Sequence, residues 1–174
     1  MFNSIVVAFD GSPHANRALE IGSELAARDK ATLNIIYVID KSHLHVPEAI
    51  REMGETEHVI DPMPKVQVNY ENAPTSMMSA LAQANADSLD AMFQYADFIV
   101  GQAESGARHA GAAKVDSKVA QGDPAEEIIT FAKNRKADLI VCGSRGLGKW
   151  KSMLLGSISS KLVQLSTCSC LTVK

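Results

Sequence analysis

Three short, mostly apolar runs constrain the fold of this chain more than any other feature. They are SIVVAF at residues 4–9, ATLNIIYVID at residues 31–40 and ADLIVCG at residues 137–143. Runs of this length, rich in β-branched residues, are typical of strands buried on both faces, as in a parallel sheet. Such a sheet has helices on both of its faces.

Two helix starts follow strands in the same way. Ser12 and Pro13 come directly after the first run, and Asp123 and Pro124 repeat the arrangement later in the chain. A Ser or Asp side chain accepts from free amide groups at a helix start, and Pro suits the first helical turn. The first of these helices is predicted to continue to about Arg28.

The remaining elements complete an alternating order. Residues 115–122 and 168–173 are predicted strands, residues 75–107 a long Ala-rich helix and residues 157–166 a short helix. Residues 41–73 carry several prolines and scattered charges, which predict a long irregular connection. The order is β-α-β-loop-α-β-α-β-loop-α-β.

This order predicts an α/β protein with a doubly wound, five-stranded parallel sheet. At 174 residues, we expect a single domain over residues 1–174. Ligands of such sheets bind beyond the carboxyl ends of the strands, where the strand order reverses. Asp10 with Gly11, and residues 143–146, both follow strands and are therefore candidates.

Composition narrows the class of protein. The net charge of −3 argues against a general nucleic-acid or membrane-surface binder, since such domains usually carry a basic face. No apolar run approaches the length of a membrane span. The N-terminal stretch lacks a basic leader and a cleavage site, and the three cysteines lack metal-type spacing. We therefore expect a reduced, cytoplasmic protein.

Residues 143–159, GSRGLGKWKSMLLGSIS, combine glycines with basic residues. Glycine allows main-chain amides to approach a bulky anion, and a helix start after a glycine-rich loop is a common phosphate site. Ser157 is predicted to cap the following helix. A plain loop with a solvated basic rim explains the same pattern, so residue chemistry alone leaves both readings open. The stretch is neither a Walker A motif nor a Rossmann fingerprint.

Three motifs together resemble the universal stress protein family, in its UspA-like subgroup that binds ATP. They are V-x-F-D-G-S near the N-terminus, G-D-P-A-E-E-I before the third helix, and G-x-x-G, nine residues, then G-S from Gly143 to Ser157. The resemblance covers nearly the whole chain. It implies the strand order 3-2-1-4-5, the Rossmann-like arrangement of adenine nucleotide α-hydrolases, and a role in the stress response.

The resemblance also implies a nucleotide site. Ala8 and Val38 would line the adenine, Asp10 would contact the adenosine part or a metal-bound water, and the glycine-rich stretch would hold ribose and phosphates. ATP would bring Mg²⁺ or Mn²⁺, held mainly by its phosphate oxygens and water. The residues assigned to this site are Ala8, Asp10, Val38, Cys142, Gly143, Ser144, Arg145, Gly146, Gly148, Lys149, Gly156, Ser157, Ile158 and Ser159.

Two departures from the family pattern concern the connections and the assembly. The 41–73 connection looks longer than usual, and the last strand, within CSCLTVK, lacks the family's common proline. In the family this strand often pairs with its twofold mate. We therefore expect a homodimer through residues 168–173.

Other chemistry is weaker in this sequence. Asp10 has no partner that would make it a catalytic base, so we rank nucleotide binding above slow ATP hydrolysis or adenylyl transfer, and both above a nucleotide-independent scaffold. His43 and His45 favour a solvated loop over a zinc site. Cys168 and Cys170 favour packing over redox chemistry. The sequence does not name a protein partner.

Overall fold

The computed structural model describes residues 1–40, 89–146 and 155–174. Within these residues the chain forms five strands and four helices. In chain order they are β1 Ser4–Ala8, α1 Pro13–Asp29, β2 Thr32–Ile39, α2 Leu89–His109, β3 Lys114–Gln121, α3 Pro124–Asn134, β4 Leu139–Gly143, α4 Ser157–Leu165 and β5 Ser169–Val173.

The five strands form one parallel sheet in the order β3-β2-β1-β4-β5. The predicted fold class and strand order are confirmed. Ala8, the last residue of β1, lies opposite Ile36 of β2 and Cys142 of β4. The strand order reverses between β1 and β4, so the carboxyl ends of these two strands form the predicted ligand-binding edge.

Helices cover both faces of the sheet, which explains the mostly apolar runs. Ile5 and Val7 of β1 pack with α1 and α2, whereas Val6 packs with α3 and α4. All three side chains are fully buried. A strand with a helix layer on each side has no polar face, so its sequence does not alternate.

The predicted caps of α1 and α3 are confirmed. Ser12 Oγ accepts a hydrogen bond from Ala15 N at 3.2 Å, and Asp123 Oδ1 accepts one from Glu126 N at 3.0 Å. Accepting this bond, together with the bond from Lys161, lowers the pKa of Asp123. Both helices therefore begin where the Ser-Pro and Asp-Pro pairs predict.

The end of α2 differs from its prediction. The helix continues to His109, two residues beyond the predicted end at residue 107. Gly111 follows with φ of +100°, and Ala112 N donates to Ala107 O at 3.1 Å. A glycine in the left-handed region ends a helix readily, because it has no Cβ to clash there.

Several predictions lie outside the described residues. They include the 41–73 connection with His43 and His45, and the part of the 75–107 helix before Leu89. The observed strand ends lie within two residues of the predicted ones. Among the described helices, none combines the length and the apolar character needed to cross a membrane.

The close packing of Gly22 of α1 against the sheet predicts how an alanine at this position changes the free energy of unfolding. A Cβ on Gly22 would lie 2.7 Å from Val7 Cγ2, inside van der Waals contact. We expect Gly22→Ala to lower the free energy of unfolding by about 1–3 kcal/mol, because overpacking outweighs the gain in helix propensity. Urea denaturation followed by circular dichroism measures this change.

Gly101 of α2 is the matched control, since a Cβ there meets no atom within 4 Å. Gly101→Ala should stabilise the protein by roughly 0.5–1 kcal/mol through helix propensity alone. Equal effects of the two substitutions would contradict the close packing at Gly22.

Candidate functional site

The turn after β1 places Asp10 at the carboxyl edge of the sheet. Asp10 Oδ1 accepts a hydrogen bond from Ser12 N at 2.9 Å, which closes an Asx turn before α1. Gly11 within this turn has φ of +80°, a conformation that favours glycine. The half-buried Asp10 side chain extends to the loop after β4, where a Cβ on Gly146 would lie 2.5 Å from Asp10 Oδ2.

Gly143, at the end of β4, is packed against the first turn of α1. A Cβ at this position would lie 2.9 Å from both His14 Cβ and Arg145 O, and 3.0 Å from the main-chain carbon of His14. Two of these atoms belong to the backbone and cannot move cheaply. The two glycines of G-x-x-G, Gly143 and Gly146, therefore allow residues 144–146 of the loop after β4 to lie directly against the β1–α1 segment.

Ser144 connects this loop to three other parts of the molecule. Its N donates to Val173 O of β5 at 2.6 Å, and its O accepts from Gly156 N at 2.7 Å. Its Oγ contacts His14 Nδ1 at 3.3 Å. Only 1% of the surface of Ser144 is exposed, so this residue of the loop is buried inside the protein.

The amino end of α4 differs from those of α1 and α3. Its N-cap residue is Gly156, with no hydrogen bond from a capping side chain. Ser160 N, which donates to Gly156 O at 3.0 Å, is the first intrahelical donor. The amides of Ser157 and Ile158 come before it, and both residues are exposed. No acceptor among the described residues pairs with these amides, and free amides together with the helix dipole favour an anion at this position.

An apolar surface lies beside these polar groups. Ala8 and Val38 are half-buried and pack against the buried cluster that contains Cys142, on the sheet face that carries α3 and α4. Burial raises the pKa of the Cys142 thiol to about 12, with a smaller contribution from Cys170. Cys142 is therefore a neutral packing residue at neutral pH rather than a nucleophile.

Comparison with known proteins identifies the family. The universal stress protein family model matches residues 1–174. Universal stress protein YxiE of Bacillus subtilis is 32% identical to this chain over 174 residues, which cover all of both chains. The chain belongs to the universal stress protein family.

Solved structures of universal stress proteins share the fold. UspA from Lactobacillus plantarum has a TM-score of 0.69 at 23% identity, covering 99% of this chain and 97% of its own. A universal stress protein in complex with cAMP gives 0.60 at 21% identity, covering 99% and 96%. One from Archaeoglobus fulgidus in complex with dAMP gives 0.61 at 16% identity, covering 99% and 98%.

The structure brings most residues of the universal stress protein motif together and corrects one detail. Asp10 meets Gly146, and Ser144 meets Gly156, as the shared sheet edge predicts. The prediction that Ser157 caps α4 is wrong, because Gly156 is the N-cap and Ser157 is the first helical residue. Gly148 and Lys149 lie outside the described residues.

Two predicted ligand hydroxyls are engaged within the protein. Ser159 Oγ donates to Ser144 O at 3.1 Å and to Gly156 O at 3.0 Å, and Ser159 is buried. Ser144 Oγ contacts His14. These two serines therefore shape the loop, and the groups left at the start of α4 are its first amides and the hydroxyl of the exposed Ser157.

Sequence reasoning missed His14. It is separated from Ser144 by 130 residues, and nothing in the stretch SPHANRAL distinguishes a histidine that contacts another loop from one that faces solvent. The only usable signal was its position four residues after Asp10, in the first turn of a helix at the ligand-binding edge.

The G-D-P motif has a structural explanation. Gly122 has φ of +151°, and its N donates to Ile39 O at 3.1 Å, which joins the ends of β2 and β3. Asp123 caps α3 and also pairs with Lys161 of α4 at 3.1 Å. The motif therefore caps α3 and links it to α4 through one exposed ion pair.

The thiols and possible metal ligands give no second site. Cys170 Sγ contacts Ser166 Oγ at 3.0 Å, and burial raises the pKa of the Cys168 thiol. A raised pKa disfavours the thiolate that redox chemistry needs. In the part of the chain that the structure describes, no group of three or more His, Cys, Asp or Glu side chains could hold a metal ion.

The contacts of the motif glycines predict unequal tolerance of alanine. Gly143→Ala should lower the free energy of unfolding by about 1–3 kcal/mol, because its Cβ would overlap backbone atoms. At Gly156 the nearest atom to a new Cβ is Ser144 O at 3.4 Å, an ordinary contact, so Gly156→Ala should be nearly neutral for stability. Chemical denaturation of both variants measures the difference, and a larger loss at Gly156 would contradict it.

Proposed function

We propose that this chain is a cytoplasmic regulatory protein of the ATP-binding universal stress protein subgroup, whose partner contacts depend on nucleotide occupancy. The observation that carries the proposal is the amino end of α4. Glycine replaces a capping side chain there, and the same helix end is hydrogen-bonded to the loop after β4. The solved relatives in complex with cAMP and dAMP support an adenine nucleotide.

The phosphates of ATP would bind at the amino end of α4. The amides of Ser157 and Ile158, with the dipole of α4, supply the donors and the positive field that a phosphate requires. Arg145, exposed in the loop after β4, adds a positive charge nearby. Gly156 lacks a Cβ and keeps this surface open to a bulky anion.

The adenosine part would lie along the sheet edge. The half-buried Ala8 and Val38 form an apolar surface above the buried Cys142, and Asp10 offers Oδ2 near Gly146. Mg²⁺ or Mn²⁺ would be held by the phosphates and water, as hard cations commonly retain waters. Gly148 and Lys149 stay predicted contributors. Asp10 Oδ1 closes the turn with Ser12 N, and Asp10 has no partner in the described residues that would make it a base, so we propose binding rather than hydrolysis.

Nucleotide occupancy can be transmitted to the last strand. Ser144 N is bonded to Val173 O, so the loop that would hold the phosphates is joined to β5. β5 lies at an edge of the described sheet. The large apolar residues exposed on α4 and β5 are Ile158, Val163, Leu165 and Leu171. Leu171 lies on the face of β5 opposite to α4, and the exposed edge of β5 itself supports a homodimer formed through residues 168–173.

The phosphate site is tested at Ser157, the first residue of α4. Proline is tolerated at this position, and Gly156 before it already has φ −71° and ψ 167°, which suit a residue that precedes proline. Ser157→Pro removes one amide donor and the hydroxyl, whereas Ser157→Ala removes the hydroxyl alone. Titration calorimetry with Mg²⁺ and ATP should show Ser157→Pro binding roughly tenfold to a hundredfold more weakly than Ser157→Ala, as expected for a hydrogen bond to a charged group.

Equal ATP affinity of these two variants would show that the Ser157 amide does not contact the phosphates. Absence of any heat of binding by the unsubstituted protein at millimolar ATP would overturn the nucleotide proposal as a whole. Circular dichroism of both variants checks that α4 still forms.

The dimer is tested at Leu171, which is 36% exposed on β5. Leu171→Lys places a charge on β5 within the proposed interface, so sedimentation velocity should show a shift from dimer to monomer. Glu24→Lys, on an exposed position of α1, adds a lysine elsewhere and should leave the assembly unchanged. A monomer before substitution, or a dimer that persists in Leu171→Lys, would contradict this interface.

A further inference from the structure

His14 lies closer to the loop after β4 than an ordinary pair of side chains would allow. It is the second residue of α1, directly after Pro13. Its Cβ would be 2.9 Å from a Cβ on Gly143, and its main-chain carbon 3.0 Å. Because Gly143 has no side chain, the first turn of α1 lies against the end of β4.

The imidazole of His14 extends from this contact to the next residue of the loop. His14 Nδ1 lies 3.3 Å from Ser144 Oγ. The main-chain N and O of Ser144 are bonded to Val173 and Gly156. Among the described residues, His14 is the residue that contacts the Ser144 hydroxyl. A hydroxyl can donate to or accept from a ring nitrogen, and the contact is therefore possible in either tautomer.

Two residues of the β1–α1 segment thus contact both ends of the sequence 143–146. Asp10 Oδ2 lies against Gly146, and His14 lies against Gly143 and Ser144. Ser144 O in turn accepts from Gly156 N at the start of α4. A displacement of Ser144 would therefore move the helix end that offers its amides to an anion.

We propose that His14 is a positioning residue, which holds Ser144 and the loop after β4 in the arrangement that the nucleotide site requires. This inference rests on the proposed function for its effect on ATP affinity. The hold on the loop is a property of the protein without nucleotide. A binding site is most effective when the residues around it are fixed by neighbouring contacts.

Three substitutions separate the packing of the His14 ring against Gly143 from its polar contact with Ser144. His14→Ala removes both the ring and its nitrogen. His14→Phe keeps an aromatic ring against Gly143 but has no polar atom for Ser144. His14→Asn keeps a polar atom near the position of Nδ1. The positioning role predicts that Ala and Phe behave alike and that Asn restores the wild-type behaviour.

The first measurement is amide hydrogen exchange of the nucleotide-free protein. The amides of Ser144 and Gly156 should exchange roughly fivefold faster in His14→Ala and His14→Phe, as expected from the loss of a neutral hydrogen bond. His14→Asn should exchange at the wild-type rate. Amides in the middle of β2 should be unchanged in all three variants, which excludes a general loss of stability.

The second measurement is ATP affinity, with Ser144→Ala added to form a double-mutant cycle. His14→Ala should weaken ATP binding roughly fivefold in the native background and have no further effect in Ser144→Ala, because the contact is already absent. Unchanged exchange and unchanged affinity in His14→Ala and His14→Phe would overturn the inference. Weaker ATP binding with unchanged exchange would also overturn it, since His14 would then act directly on the nucleotide.

The two proposals fail in different ways. Faster exchange in His14→Ala together with no ATP binding by the unsubstituted protein would support the hold of His14 on the loop and overturn the nucleotide function. Normal ATP binding by the unsubstituted protein with no effect of His14 would overturn the positioning role alone.

Discussion

The main chain of Ser144 is the point on which the geometry of the site depends. Its N is bonded to the end of β5, and its O is bonded to the N-cap of α4. Both groups are buried with the residue, and an unpaired buried polar group costs about 1–3 kcal/mol. The loop after β4 therefore cannot separate from β5 or α4 without a considerable loss of stability.

The glycines around Ser144 have two different physical functions. Gly143 and Gly146 are close to His14 and Asp10, and the absence of a Cβ allows the β1–α1 segment to approach. A Cβ on Gly156 would make only ordinary contacts with the described residues, and what Gly156 lacks is a side chain that would cap α4. One sequence motif thus combines close packing with an uncapped helix end, which explains why its spacing matters as well as its composition.

The same connections join the site to the edge of the sheet. Ser144 contacts Val173 of β5, and β5 lies at an edge of the described sheet. A ligand that orders the loop would therefore act on a strand that can pair with another chain. Such coupling requires only that the ligand bind one arrangement of the loop better than another.

The sequence by itself determined the class of fold and the starts of α1 and α3, because these depend on local patterns of apolar residues and caps. The strand order followed from the resemblance to the universal stress protein family, since local patterns do not say which strands are neighbours. The sequence also predicted that Asp10 and the glycine-rich stretch share one edge, since carboxyl ends of parallel strands lie together. Only the tertiary structure decided that Gly156 occupies the N-cap position of α4, that the hydroxyls of Ser144 and Ser159 point inward and that His14 contacts Ser144. These contacts join residues up to 130 positions apart, and no local pattern encodes the distance between two loops that meet only when the sheet has formed.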